Sequence, residues 1–413
     1  MGTGQDPGGS SGPAGLGDAR ARRRGIGTRG RVALVVIGVV AVAAGAIAVV
    51  RAGHRTDVPG QSAGSVMPGT AERTAGAADG RVRDARTVWP EAVASLPKTS
   101  ADGLGYRPVT ALGPTEILLT AGPSFEEPKR FDVYDMKTGR SRTLVTLVPG
   151  ADGYVQGGVE VGEDYIAWYG RRPKEPRSWV DFWVAPRQGG DPIRVGEVTG
   201  ELAGIDRFGV SGDHVVWSPE AGGVYRMPIG GGKPEKIPGT DGLWLASWPW
   251  ARNVPAESDI ETGLPDTNQN VLADLRTGVR QNMIPLPGGT RRQGIIPPGA
   301  TGLRCSRQWC VGRLDGGAVA VRVDQSDLRR VPWTMTEPEV YGDRFVVVLQ
   351  GTTSMIYDLA TGKAGGITAP SADGRSASYG QGNSSSPTAV FFWDAQQGDD
   401  YDVLNLAAIP ELE

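Results

Sequence analysis

Asp135-Met136-Lys137-Thr138-Gly139, Asp274-Leu275-Arg276-Thr277-Gly278 and Asp358-Leu359-Ala360-Thr361-Gly362 are three copies of one pattern, D-[LM]-x-T-G. Its chemistry is that of a tight hairpin. The aspartate carboxylate can accept main-chain N–H groups as the chain reverses, and glycine takes the positive-φ position without a Cβ penalty. Apolar pairs lead into each copy (Val133-Tyr134, Val271-Leu272, Ile356-Tyr357), as a strand entering a reverse turn requires. Degenerate forms stand at Pro186-Arg187-Gln188-Gly189-Gly190, Pro228-Ile229-Gly230-Gly231-Gly232 and Asp324-Gln325-Ser326-Asp327.

A second signal recurs beside the first. Gly162-Glu163-Asp164-Tyr165-Ile166-Ala167-Trp168, Gly212-Asp213-His214-Val215-Val216-Trp217 and Gly342-Asp343-Arg344-Phe345-Val346-Val347-Val348 each pair a turn with a strand rich in β-branched and aromatic residues. Weaker versions centre on Ile117, Trp244, Trp309 and Val390. With these anchors the mean spacing is about 46 residues, the size of a four-stranded propeller blade. The spacing is short before Trp244 and long after it, which predicts a compact third unit and an insertion in the fourth, Arg252 to Asn268. One small antiparallel sheet cannot bury both its faces, so such units must pack face to face around an axis. The expected fold is therefore all-β: a β-propeller over residues 88–413 with seven blades, six or eight remaining open. A pair of β-sandwich domains is the rival, but would not repeat one motif through the chain.

These turns and strands resemble the repeats of TolB-like and WD40-like bacterial β-propellers over roughly residues 104–406. Membrane-anchored actinobacterial proteins of that kind share the Arg-rich, Ala/Val-rich start found here. The full S-P-D-G-K repeat opening of the family is missing; Ser371-Ala372-Asp373-Gly374-Arg375 comes nearest. The resemblance implies a fold, not a function.

Upstream of the repeats the chain changes character. Residues 1–31 are Gly/Ser/Pro-rich with six arginines (Arg20, Arg22, Arg23, Arg24, Arg29 and Arg31), a composition expected to be a disordered cytoplasmic tail. Val32–Val50 then runs nineteen residues without a charge. As a helix it would span about 28 Å, close to the thickness of a bilayer core. The arginine excess ahead of it predicts a single-pass transmembrane helix with a cytoplasmic N-terminus and an extracytoplasmic remainder. Ala46-Ile47-Ala48 offers the alternative of signal cleavage and secretion, though the run exceeds a signal's usual apolar length. Residues 51–87, poor in large apolar side chains, read as a flexible linker.

Composition narrows the chemistry. The 43 Lys+Arg nearly balance 46 Asp+Glu, so net charge gives no reason to expect nucleic acid. The arginines of the tail are accounted for by membrane orientation, with the lipid bilayer as their partner. The chain has 62 Gly and 31 Pro, well above the usual share, which favours many short strands. No cofactor and no metal site are expected: there are only 2 His and 2 Cys. His214 is the one candidate base in the expected folded region. The G-x-S-x-G match at Gly8-Gly9-Ser10-Ser11-Gly12 lacks the strand and helix of a nucleophile elbow.

Several local features invite functional readings. Cys305 and Cys310, separated by four residues, are expected to form a structural disulfide outside the cytoplasm, with free thiols or a redox pair as the alternatives. Trp244, Trp248 and Trp250 fall within seven residues and would share a face in a continuous strand, where they could stack on a sugar or clamp a partner. The competing reading packs them between blades. Asp266-Thr267-Asn268-Gln269-Asn270 begins like a calcium loop but lacks its glycine and distant glutamate. Asp394, Asp399, Asp400 and Asp402 could hold a cation or form an exposed acidic hairpin loop. The sequence as a whole predicts a membrane-anchored, non-catalytic propeller that binds a protein, peptide or envelope glycan. A propeller lyase or hydrolase using carboxylates or a bound cation at its central pocket is the alternative, and a structural accessory of a larger membrane complex a third.

Overall fold

A computed structural model describes residues 73–74 and 82–411, apart from 149–153, 173–178, 257–266, 284–298, 316, 325, 336–337, 369–377 and 396–397. The tail, the apolar run Val32–Val50 and most of the expected linker lie outside the described residues. Among the described residues no helix is long and apolar enough to cross a membrane.

The strands form seven antiparallel four-stranded sheets, one of which gains a fifth, parallel strand at its edge. Numbered along the chain, the blades cover residues 105–146, 155–199, 205–236, 244–282, 301–331, 334–366 and 380–405. Within a blade, burial falls from the inner strands outward. The second strand of blade 1, Glu116–Gly122, is buried at all but its first position, whereas its fourth, Arg140–Thr146, is mostly exposed. The middle strands read as unbroken apolar runs because neighbouring blades cover both their faces.

Seven apolar clusters fill the spaces between blades, one for each consecutive pair. Phe131 of blade 1 meets Trp168 of blade 2 at 5.2 Å between ring centres, and Phe182 of blade 2 stacks on Phe208 of blade 3 at 5.5 Å. Val216 and Leu245 join blades 3 and 4; Leu272 and Cys310, blades 4 and 5; Trp309 and Tyr357, blades 5 and 6; Ile356 and Phe391, blades 6 and 7. The seventh cluster packs Val390 and Val403 of blade 7 against Ile117 and Leu119 of blade 1. The ring therefore closes, and the blade count is seven.

Closure uses the two ends of the folded region. Blade 7 takes only three strands from the C-terminal part; its outermost strand is Val93–Pro97, paired antiparallel with Asp400–Asn405 in a register that sets Val93 against Leu404 and Pro97 against Asp400. The acidic run belongs to this seam. Lys98 Nζ lies 2.9 Å from Asp394 and 3.4 Å from Asp399, Ser95 Oγ donates to Asp400 at 2.8 Å, and Arg86 pairs with Asp402. No group of acidic, His or Cys side chains able to hold a metal occurs among the described residues.

Two described elements ahead of Trp89 start within the span read as linker. Arg73–Thr74 adds the parallel strand beside Arg329 and Arg330 on the outer edge of blade 5. The single helical turn Ala85–Val88, capped by Asp84, lies on blade 6, where Asp84 bridges to Gly366. Trp89 then packs edge-on against Phe345. Gly365 permits this approach, since a Cβ there would sit 2.7 Å from the Trp89 ring and 2.8 Å from Ala85 Cα.

The hairpin chemistry is as expected. Asp135, Asp274 and Asp358 each start the turn between third and fourth strands. Asp135 Oδ1 accepts from the N–H of Lys137 at 2.8 Å, Asp274 Oδ1 from Arg276 at 2.9 Å and Asp358 Oδ1 from Ala360 at 2.9 Å. Gly139, Gly278 and Gly362 take φ of 67°, 72° and 74°. Trp244 is the exception among the anchors: it lies on the first strand of blade 4, whereas the other six lie on second strands. The equivalent residue is Trp250, and using it moves both uneven gaps toward the mean. The expected insertion does separate the second and third strands of blade 4, Trp250–Arg252 and Val271–Asp274.

Cys305 and Cys310 are disulfide-bonded, facing each other across the first two strands of blade 5 with Cα atoms 3.9 Å apart. Replacing both by alanine should lower the unfolding free energy by about 2 kcal/mol. Trp89→Ala, which opens a cavity beside the closing strand, should cost about 4 kcal/mol. Urea unfolding followed by tryptophan fluorescence and circular dichroism measures both.

Candidate functional site

In a ring of seven blades, residues of blades 3 and 6 can meet only near the axis. Arg207 stands on the first strand of blade 3, Ile205–Ser211, and Glu339 follows the first strand of blade 6, Thr334–Met335. Arg207 Nη2 is nevertheless 3.2 Å from Glu339 Oε2. The same oxygen lies 3.5 Å from Nη2 of Arg252, the last residue of the second strand of blade 4. Arg304, from the first strand of blade 5, Thr301–Cys305, completes the group. All four residues line one cavity of about 320 Å³, together with Gln381, Tyr341 and Ser384–Ser386.

The three arginines are deeply placed: Arg252 and Arg304 are 2% exposed and Arg207 8%. Buried guanidinium groups are costly unless their donors are satisfied. Main-chain carbonyls serve from behind. Arg207 Nη1 donates to Ala246 at 3.0 Å, Arg252 Nε to Val254 at 3.1 Å, and Arg304 Nη1 to Thr267 at 2.8 Å and Leu303 at 3.0 Å. Arg207 Nε is buried with no hydrogen-bond partner among the described residues. Asp206 lies close by and accepts the N–H of Ala256 at 2.9 Å.

These charges act on one another. Loss of hydration pushes the Glu339 carboxyl upward, but Arg252, Arg207 and Arg304 together outweigh it and hold the group below the ordinary carboxylate range. Burial lowers Arg252, as do the like charges of Arg207 and Arg304, against the pull of Glu339 and Asp206.

The wall opposite comes from residues 382–388, between the first and second strands of blade 7. This segment leaves its own sheet and crosses the axis. Asn383 N–H donates to Pro108 of blade 1 at 3.2 Å, Ser385 N–H to Val159 of blade 2 at 2.9 Å, and the N–H of Phe208 in blade 3 to Ser385 Oγ at 2.8 Å. Gly382 allows the crossing, since a Cβ there would lie 2.1 Å from the Val109 carbonyl oxygen. Glu160 of blade 2 accepts from Ser386 N–H at 2.8 Å and Ser384 Oγ at 3.3 Å. Burial raises Glu160 to about 7 in spite of the Ser386 and Ser384 bonds and the charge of Arg207.

The residues singled out from sequence lie elsewhere. Trp244, Trp248 and Trp250 do not share a face, because a turn at Trp248-Pro249 separates two paired strands. Trp244 donates Nε1–H to Glu220 at 3.2 Å, Trp248 packs in the apolar cluster between blades 3 and 4, and Trp250 in that between blades 4 and 5. His214 Nδ1 lies 2.6 Å from Oδ1 of its chain neighbour Asp213. Asp266 is outside the described residues. Asn268 and Gln269 tie blade 4 to blade 5, accepting the N–H groups of Leu303 at 3.0 Å and Cys305 at 2.9 Å. The cavity arginines carry no motif. Their one sequence signal is an arginine inside an apolar strand recurring at roughly one blade length.

No family model matches this sequence, and no curated protein matches it. Several solved structures are similar to it at low identity. A structure of YCF48 bound to D1 peptide is 12% identical, with 76% of this chain and 94% of that chain covered and a TM-score of 0.40. The WD40 β-propeller domain of Doa1 is 9% identical over 76% and 97%, with a TM-score of 0.36. YCF48 from Cyanidioschyzon merolae is 9% identical over 76% and 98%, with a TM-score of 0.38.

Glu160 gives the site a pH signature. The unfolded chain releases this proton near pH 4.5, whereas the folded chain keeps it to about 7. Between those values the folded state binds more protons, so this group's contribution to stability falls as pH rises. Glu160→Gln should therefore gain stability relative to the wild type between pH 5 and pH 8, with no further gain above. Urea midpoints at both pH values check it.

Proposed function

We propose that this protein is a membrane-anchored, extracytoplasmic β-propeller of the TolB-like kind its motifs resemble, and that it binds a protein, peptide or envelope glycan rather than transforming one. The observation that carries the binding reading is the convergence of Arg207, Arg252 and Arg304 on one axial cavity. Guanidinium groups fixed by main-chain carbonyls present charge in a set geometry, which suits recognition. The Cys305–Cys310 bond supports an oxidising compartment, and Val32–Val50 supplies the anchor.

Glu160 favours one competing reading, an enzyme acting at the central pocket. A carboxyl raised to about 7 could serve as a general acid at neutral pH. Cleavage of an envelope glycan by the purified protein, abolished in Glu160→Gln, would establish that reading instead.

Cells producing the full chain should retain it in the membrane fraction, with the propeller digested by protease added outside intact protoplasts. Removal of residues 1–50 should leave a soluble β-rich protein. A cytosolic, protease-protected full chain would refute the proposed topology.

A further inference from the structure

The first strand of blade 7 is only two residues long, Gly380–Gln381. The chain that would continue it, residues 382–388, lies across the axis as one wall of the cavity. This strap is hinged at both ends. Gly382 N–H donates to the Val390 carbonyl at 2.9 Å, and Thr388 Oγ1 to that of Val109 at 3.1 Å. Between the hinges Asn383, Ser384, Ser385, Ser386 and Pro387 are half-buried and bring no large apolar side chain. A segment held by hydrogen bonds without apolar packing belongs to the least stable part of a fold.

Its hydrogen bonds divide into two kinds. Asn383 and Ser385 meet main-chain groups of Pro108, Val159 and Phe208, which do not titrate. The Ser384 hydroxyl and the Ser386 N–H both donate to Glu160 Oε2, at 3.3 and 2.8 Å. On its own strand Glu160 has Val159 and Val161 beside it and Ala167 paired across the sheet. The strap contributes no titratable side chain. Blade 3 presents Arg207 with Asp206 next to it in the chain, and Arg207 is held in turn by Glu339, whose oxygen also meets Arg252. The charge of Arg207 favours the ionised carboxylate, but burial outweighs it.

We propose that residues 382–388 are a gate on the axial cavity, seated across the axis while Glu160 carries its proton and released when the carboxylate ionises. This is a regulation of the binding site, and rests on the binding reading only in taking the cavity as the place of recognition. The direction follows from access to water. With the strap seated, Glu160 keeps its proton to about 7; with the strap lifted and the group hydrated, it ionises near its ordinary 4.5. The seated state binds more protons through that window. Raising the pH from 5 to 8 therefore favours opening by roughly 70-fold.

The test is amide hydrogen exchange of the full chain in non-ionic detergent, read by mass spectrometry and corrected for the intrinsic pH dependence of exchange. Protection in peptides covering residues 382–388 should fall by roughly 70-fold between pH 5 and pH 8, while Glu116–Gly122 of blade 1 keeps its protection. Glu160→Gln retains an acceptor oxygen for both serine bonds but cannot ionise, so its strap protection should not change with pH. Glu197→Gln, on the outer strand of blade 2, should follow the wild type. The wild-type profile carries the test by itself should Glu160→Gln fail to fold. Strap protection that is constant or rises with pH, a fall shared by every blade, or the same fall in Glu160→Gln would overturn the gate. No ligand enters the measurement, so a strap indifferent to pH leaves the binding reading and the topology intact, and a misplaced anchor leaves the exchange result intact.

Discussion

A four-stranded sheet with two apolar faces has no inside until something covers both of them. Every other feature of this protein follows from meeting that demand by rotation. Each blade covers one face of the next, and the requirement is fully met only when the last blade reaches the first. The cluster of Val390 and Val403 with Ile117 and Leu119 is thus the contact that turns a row of sheets into a domain. Because Val93–Pro97 completes blade 7, the last blade is finished by one of the first segments of the chain. Closure then depends on pairing across most of the sequence, and on the side chains of Ser95 and Lys98 that hold Asp400, Asp394 and Asp399.

The same geometry brings distant residues together at the centre. A side chain on an inner strand of blade 3 has no sequence relation to one following the inner strand of blade 6, yet Arg207 and Glu339 are in contact. Burying three arginines is unfavourable unless carbonyl groups are already aimed at them. The backbone carbonyls of Ala246, Val254, Thr267 and Leu303 provide that support, beside the carboxylate of Glu339.

How far the sequence could be read follows from the range of each interaction. The D-x-x-T-G turns were legible because their hydrogen bonds span two or three residues and their glycines need positive φ wherever they occur. Blade number was legible from the seven strand anchors rather than from those turns, with six and eight left open until the ring was seen to close. Trp244 misled as an anchor because a first strand and a second strand show the same aromatic and β-branched pattern; only pairing tells them apart. The acidic run Asp394–Asp402 was readable as a hairpin, but Asp394, Asp400 and Asp402 stand on its strands and not in a loop, and the partners Lys98, Ser95 and Arg86 lie some three hundred residues away. The channel arginines were the least legible: each looks like an isolated charge in an apolar strand until the ring sets three blades around one point.

The route of the N-terminal segment has a mechanical consequence. Arg73–Thr74 runs along blade 5, Ala85–Val88 and Trp89 lie on blade 6, and Val93–Pro97 completes blade 7. A pull on the chain from upstream meets these attachments in that order. The two-residue strand detaches first, then the tryptophan must leave its pocket, and only afterwards does load reach the seam. The short outer attachments act as fuses, yielding one at a time so that the ring itself is spared.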